Sequence, residues 1–456
     1  MGAVLCRSSQ PKSGFGSGNK DDIAYLCCLR DAASPLQENR RGGLLSLRSG
    51  PMAVKGTTKG ALPSSESRTQ LVIFDARPLI NAGVNALQGK GFENVKALEQ
   101  EGGSAEIHFL DIENIHVMRK SLKAAVKAGL GTTTDRARGD TWASINDDTE
   151  SLVEEDAGGS PDFLGQLTAS GWLSHLSQVL KGAIRVAKAL HGSSTDRDRD
   201  STSTTVLVHC SDGWDRTAQL SALAQVLLDP YYRTRRGFQV LVTKEWFAMG
   251  HKFKDRLAIN TEETSPIFLQ FIDIIWQLTL QFPQAFEFTE NYLLWILEAI
   301  HSDCFIESLT NSEKDKRDYV ALQISQASKI FDHLEDIVQK DDQFVFTNIL
   351  YAPAHEHNSR SIALLQPWAD PEGMQFWRRQ HMKHTPVATR AAREDLLQQA
   401  LLRALTFRPG RQVSSPQQQT KEGGASTQDL LAPFSSVGLS PSASKPRMYY
   451  ASPINR

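Results

Sequence analysis

The sequence predicts an α/β fold: a central sheet flanked by helices, with an enlarged helical C-terminal half. Three observations carry this expectation. Short apolar runs at 71–74, 107–112 and 206–208 have strand length and alternate with longer segments of helical spacing. The run Val206-Leu207-Val208 passes through a turn containing Gly213 directly into a helical pattern. Beyond residue 215 the apolar spacing is almost wholly helical.

Taken in order, Leu71-Val72-Ile73-Phe74 before Asp75 reads as a buried strand, and Asp75-Ala76-Arg77 as a structural ion pair at its end. Ile107 to Ile112 reads as a second strand. Asn114 suits the N-cap of a helix running into Val117-Met118-Arg119. Trp172, Leu173, Leu176, Val179, Leu180, Ala183, Ala187 and Leu190 mark one helix face, with Gly192 as the stop. Val206–Val208 is the third strand. Leu220, Leu223, Ala224 and Leu227 form the next helix, ended by Asp229-Pro230. Ser265 and Pro266 suit the N-cap and first turn of another. Trp172, Trp276 and Trp295 fall on apolar faces and belong to the core. The chain ends and the stretches 33–68, 132–162 and 192–204 carry too little apolar surface to offset the entropy of ordering. The expected organisation is one catalytic domain, 1–385, bearing these three insertions, followed by a mostly disordered tail, 386–456.

Composition narrows the function. The 456 residues carry 50 Lys+Arg against 52 Asp+Glu, a net charge of −2, which gives no electrostatic case for a nucleic-acid binder. The longest apolar stretch, Ile267 to Phe282, is interrupted by Gln270, Asp273 and Gln277 and reads as a buried helix, not a membrane span. Five scattered cysteines suit neither a disulfide framework nor a zinc site and point to a reducing, intracellular setting. No signal peptide is expected, and Cys6 stands where a Met1-Gly2 myristoylation motif needs Ser or Thr.

The chemistry concentrates in Val206 to Leu220, VLVHCSDGWDRTAQL. A buried strand delivers Cys210 to a tight loop, and five residues separate it from Arg216 at the start of a helix. Successive loop amides can form an anion nest, to which the helix N-terminus adds its free donors and dipole. Arg216 can clamp two phosphate oxygens, and the same positive field favours a thiolate at Cys210. A thiolate beneath a bound phosphate is placed for attack, giving a cysteinyl-phosphate intermediate. His209 is expected to fix the loop by hydrogen bonding. Asp212 and Asp215 oppose an anionic substrate unless one is protonated or turned away; a protonated carboxyl near the leaving oxygen is a general acid. Lys252 and Arg256, four apart, would share a helix face as one cationic patch. Nothing in this chemistry requires a cofactor or a metal.

HCSDGWDRTAQL resembles the active-site signature of the myotubularins, lipid phosphatases of the cysteine-dependent superfamily. The resemblance extends, in the family's order, to Arg7-Ser8-Ser9-Gln10-Pro11, Phe74-Asp75-Ala76-Arg77-Pro78, Gly89-Lys90-Gly91-Phe92-Glu93-Asn94, Asn114–Arg119, Asp229–Thr234, Gly250-His251-Lys252-Phe253 and Ser265–Phe271. It covers about residues 6–310, with a weaker match near Leu364–Arg379. It implies a protein-tyrosine-phosphatase-like fold and hydrolysis of the 3-phosphate of phosphatidylinositol 3-phosphate and phosphatidylinositol 3,5-bisphosphate. Position by position, it makes Cys210 the nucleophile, Arg216 the phosphate clamp and Asp215 the acid/base. It assigns the loop amides to Ser211, Asp212, Gly213 and Trp214, headgroup contacts to Asn85, Asn114 and Ile115, and basic contacts to Lys252 and Arg256. Lys252 stands where arginine is common and loses the bidentate fork.

The implied partners are phosphoinositide lipids, with homo- or hetero-oligomers of related phosphatases allowed. The implied location is cytoplasmic, peripheral to endosomal or other internal membranes. The family's N-terminal PH-GRAM domain does not precede the phosphatase segment, so it is absent or the start is mis-assigned. Recruitment would then fall to the catalytic face or a partner. The acidic run in 132–162 would repel an anionic membrane. Two other readings stay open: a phosphatase of phosphoproteins, and a catalytically idle, lipid-binding adaptor.

Overall fold

The computed structural model describes residues 3–12, 19–32, 69–87, 90–101, 103–131, 163–195, 203–259, 261–321, 329–340, 343–353 and 364–382. The chain divides into two compact units, Met1–Arg403 and Ala404–Arg456, and all described residues belong to the first. The expected insertions at 33–68 and 132–162 and the expected tail at 386–456 lie outside the described residues, as do 196–202 of the third insertion.

Four strands form one parallel sheet in the order β1-β4-β2-β3: β1 (Val4–Ser8), β2 (Thr69–Asp75), β3 (Ser104–Phe109) and β4 (Ser203–His209). Parallel strands need covering on both faces, and side-chain alternation shows how this is met. Val72 and Phe74 of β2 and Val206 and Val208 of β4 face the large core. Leu71, Ile73 and Leu207 face a smaller cluster with Leu26 and Leu98. That second cluster is roofed by α1 (Lys20–Asp31) and the one-and-a-half-turn α3 (Val95–Gln100). The short α2 (Leu79–Leu87) follows β2.

On the large-core side lie α4 (Ile115–Gly131), α5 (Phe163–Ser170), α6 (Trp172–Thr195) and α7 (Arg216–Leu228). Next come α8 (Arg235–Val242), a π-helical turn at Thr243–Ala248, α9 (Phe253–Leu257), α10 (Ile267–Gln281) and α11 (Glu290–His301), then α12 (Glu313–Ala321) and α13 (Ile330–Lys340). Beyond β4 the described residues make no strand, only an isolated bridge between Phe288 and Thr347. The helical C-terminal half is thus as expected. Trp172 and Trp276 are buried and Trp295 packs half-buried against the same core.

Several expectations need correction. The N-terminal end is not disordered throughout: Val4–Ser8 is an edge strand, paired with β4 in the register Ser8↔His209. Its half-buried residues give no strong apolar run, so only the tertiary pairing marks it as a strand. The second strand lies at 104–109, not 107–112. Asp111, at φ 52°, puts a kink after it, on either side of which Leu110 and Ile112 donate to Asp75 O and Ala76 O. Gly192 does not stop α6, which continues to Thr195, and residues 203–204 already belong to β4. Ser265 is not the cap of α10: Pro266 is, and Ser265 Oγ donates to Ile115 O instead.

Candidate active site

The carboxyl ends of β4 and β2 set the site. Asp75 pairs with His209, so Cys210 and Ala76 leave the sheet side by side, tied by Ala76 N–H to His209 O at 2.9 Å. Open parallel sheets place ligands at this edge. Cys210 is 2% exposed, at the base of a loop that turns through 211–215 into α7. The Gly213 N–H points at Cys210 Sγ, 3.2 Å away. Gly213 adopts φ 86°, and a Cβ there would stand 2.6 Å from Ser8 O. Only glycine allows the loop to lie this close to β1.

The edge strand braces the loop from behind. Arg7 Nη2 donates to Gly213 O at 2.7 Å, while Nη1 donates to Glu245 O and Oε2 at 2.9 and 2.7 Å. Gln10 N–H donates to Ser211 O at 3.0 Å. These bonds hold the Ser211 and Gly213 carbonyls on the side of β1, while the Gly213 N–H is turned to Cys210 Sγ. Glu245 sits on the π-helical turn, a local irregularity of the kind found at functional positions.

Arg216 begins α7 and is buried, with Nη1 donating to Ile112 O at 2.9 Å and Nη2 to Ser211 Oγ at 3.2 Å. These bonds fix the guanidinium across the loop it closes. Asp215 occupies the N-cap position of α7 but makes no capping bond. Its Oδ1 accepts from Arg256 Nε at 3.1 Å and lies 3.1 Å from His251 Nδ1, and its Oδ2 accepts from Arg256 Nη2 at 2.8 Å. The first-turn donors of α7 therefore have no carboxylate on them and stay open to an anion.

Of the two ways in which an aspartate here could avoid opposing an anion, protonation or turning away, Asp215 shows the second, its carboxylate turned onto Arg256 and His251. Burial alone pushes the carboxyl up, but hydrogen bonds and charge from His251 and Arg256 outweigh it and hold the group well below the usual carboxylate range. His251 is buried, its Nδ1 also donating to Trp214 O at 2.8 Å, with its ring edge-on to Trp246 and Phe253.

The expected Lys252–Arg256 patch needs correction. Arg256 turns inward, its remaining nitrogen bound to Glu263 O and Oε2 at 3.1 and 2.7 Å. Asp215 and Glu263 keep it charged against the cost of burial. Lys252 precedes the short α9 and lies over the Trp214 ring, Nζ 4.6 Å from its centroid. One lysine, not a pair, is thus presented beside the loop. Asp212 is exposed.

Asn114 is a helix cap: its Oδ1 accepts from the N–H groups of His116 and Val117 at 3.0 and 3.1 Å. Ile115 starts α4, two residues beyond the Glu113 that follows the carbonyl gripped by Arg216. Asn85 lies on α2, and its side chain is outside the described residues.

A buried layer beneath the loop joins His209, expected to fix the loop by hydrogen bonding, and the Asp75–Arg77 pair to Gln10, Gly91 and Glu93, to which sequence reasoning gave no role. His209 Nε2 lies 3.1 Å from Glu93 Oε2, Nδ1 donates to Cys210 O at 3.2 Å, and Asp75 Oδ1 is 4.0 Å away. Burial pulls the imidazole down, yet the two carboxylates dominate and raise it to about 9. Arg77 binds Asp75 at 2.6 Å, as the ion-pair reading anticipated, and donates further to Gln10 Oε1 and Gly91 O. Arg7, Gln10, Glu93 and His251 all fall inside the stretches that resemble the family. That was their only signal, because their partners are distant in sequence.

Residues 1–317 match the myotubularin-like phosphatase domain. A phosphatidylinositol-3,5-bisphosphate 3-phosphatase of Mus musculus, MTMR6, is 34% identical over 398 residues, covering 87% of this chain and 51% of that protein. Its namesake MTMR2 from the same species is 34% identical over 392 residues, 84% of this chain and 48% of that protein. Myotubularin of Xenopus laevis is 39% identical over 318 residues, 68% of this chain and 41% of that protein. The chain spans about half the length of these curated relatives. With Cys210 at the end of β4, Arg216 at the start of α7 and a domain match over more than half its residues, the chain belongs to the myotubularin-like phosphatase family.

Proposed function

We propose that the protein is a phosphoinositide 3-phosphatase, acting on phosphatidylinositol 3-phosphate and phosphatidylinositol 3,5-bisphosphate without metal or cofactor. The observation that carries this is the loop itself. Cys210 Sγ lies 3.2 Å from an inward amide, below a buried arginine and an uncapped helix N-terminus. That arrangement binds a tetrahedral dianion and presents one nucleophile to it. The names of the relatives, phosphatidylinositol-3,5-bisphosphate 3-phosphatases, supply the substrate class.

In this reading the Cys210 thiolate attacks phosphorus in line with the bond to the inositol oxygen. That bond breaks as the S–P bond forms, and the charge developing on the equatorial oxygens falls on loop amides and Arg216. The leaving oxygen needs a proton. Arg256 and His251 keep Asp215 ionised, but a bound phosphoryl dianion adds a like charge, which raises a carboxyl's proton affinity. Asp215 thus takes up its proton with the substrate and gives it to the leaving oxygen. Water then attacks the cysteinyl phosphate, its proton passes to Asp215, and the S–P bond breaks. Lys252, beside the loop, is the cation available to a second phosphate; its single ammonium fits a point contact and not a fork.

Peripheral residence on endosomal or other internal membranes, and association with itself or with related phosphatases, belong to the same proposal. The test is phosphate release across all phosphoinositide isomers and a phosphotyrosyl peptide. Release confined to 3-phosphorylated lipids, and abolished in Cys210→Ser with lipid binding retained, is the expected result. Faster release from the peptide would reject the lipid assignment. Lipid binding without any turnover would point to the idle adaptor.

A further inference from the structure

We propose that the outward face of α2 is a membrane-inserting element beside the active-site mouth. Leu79, Ile80 and Val84 are 53%, 79% and 52% exposed, while Ala82 on the other side of the helix is fully buried. At 100° per residue, positions 79, 80, 83 and 84 fall within an arc of about 140°. Surface helices ordinarily turn such an arc inward. Here the described part of the helix is inverted: Ala82 packs against the body, and Leu79, Ile80 and Val84 face out. Nothing lies within 4 Å of where a Gly83 side chain would begin, so the face is open among the described residues. The nine residues LINAGVNAL carry no charge, so none would be dehydrated on insertion.

Position decides the occupant. Asp75 pairs with His209, and α2 begins four residues after Asp75. An extended chain covers at most roughly 3.6 Å per residue, so Leu79 lies within about 15 Å of the sheet edge from which Cys210 departs. This inference rests on the lipid substrate proposed above. A phosphate seated on Cys210 while its acyl chains stay in a bilayer brings the rim of the pocket to the headgroup layer. An apolar helix face without charge, within reach of that rim, fits the interface of a bilayer. Acidic or basic peptides find no complementary charge on it. Ile259, 85% exposed two residues beyond α9, puts a second apolar tip on the segment that carries Lys252 and Arg256.

The experiment compares two physical forms of one substrate. Wild type and an Ile80→Glu/Val84→Glu variant are assayed on phosphatidylcholine vesicles containing phosphatidylinositol 3-phosphate, and on the monomeric dibutanoyl form of the same lipid. Both side chains are surface-exposed, so the unfolding midpoint should not move. The expected result is a tenfold or greater loss of vesicle turnover and of vesicle co-sedimentation, with turnover of the monomeric lipid unchanged. Ile80→Trp should give fluorescence that shifts to the blue on vesicles and is quenched by brominated acyl chains.

Equal activity of variant and wild type on vesicles would overturn the inference, as would equal losses on both substrates. A change of oligomeric state in the variant, with vesicle binding intact, would assign the face to a second copy and overturn it as well. If wild type hydrolyses neither lipid, the proposed activity fails by itself, and co-sedimentation still decides the role of α2.

Discussion

Arg7 stands on the edge strand, outside the loop, yet its contacts hold the loop in place. Its guanidinium holds the Gly213 carbonyl and the Glu245 carboxylate at once. Lysine can hold one of these but not both in a fixed plane. Arg7→Ala should lower kcat/KM about 100-fold, because misplacing a reacting group by about 1 Å costs that much. Arg7→Lys should recover only part, and circular dichroism should show both variants folded. His251 acts on a different quantity. It holds Asp215, so its loss should matter where the leaving group needs a proton. His251→Phe should reduce kcat/KM on the inositol lipid by 10-fold or more and leave an aryl phosphate, whose phenolate departs unaided, nearly unchanged. His251→Asn, which restores a donor near the Nδ1 position, should recover most of the loss. Parallel losses on both substrates would show that His251 only supports the fold.

At the scale of elements, the site is a contact between the first strand and a loop that begins about two hundred residues later. Gly213→Ala tests that contact. The new methyl would meet Ser8 O at 2.6 Å in a conformation that L-residues avoid, so β1 or the loop must shift. The expected cost is about 1–3 kcal/mol in urea unfolding, together with weaker binding of vanadate. The same contact explains what sequence made legible. β4, the loop and α7 are local: apolar run, glycine and helical spacing follow one another in fifteen residues, and they were readable together with the Asp75–Arg77 pair. β1 was not, since an edge strand with half-buried residues leaves no periodic mark. Arg256 was readable as a cation near the loop but not as the partner of Asp215, because four-residue spacing describes a helix surface, and this helix presents that position to the interior. Asn114 kept its modest reading as a cap.

For the molecule as a whole, one buried network joins four separate stretches: Gln10, Asp75 with Arg77, Gly91 with Glu93, and His209. It makes stability depend on alkali. The folded protein binds the His209 proton up to about pH 9, whereas an unfolded histidine releases it near 6.5. The contribution is therefore complete below about pH 6.5 and disappears as the pH rises through about 9, a change on the order of 3 kcal/mol. Unfolding by urea at pH 6, 7.5 and 9.5 should show the decline, and His209→Gln should flatten it; a wild-type stability that is level across this interval would contradict the assignment. The bracing of the loop by Arg7 and Gln10 has a further consequence. A transcript or expression fragment trimmed of its first dozen codons would still spell the full signature from Cys210 to Arg216, yet its phosphate cradle would lack a back wall. Reading that signature in a shortened relative is then insufficient grounds for crediting it with turnover.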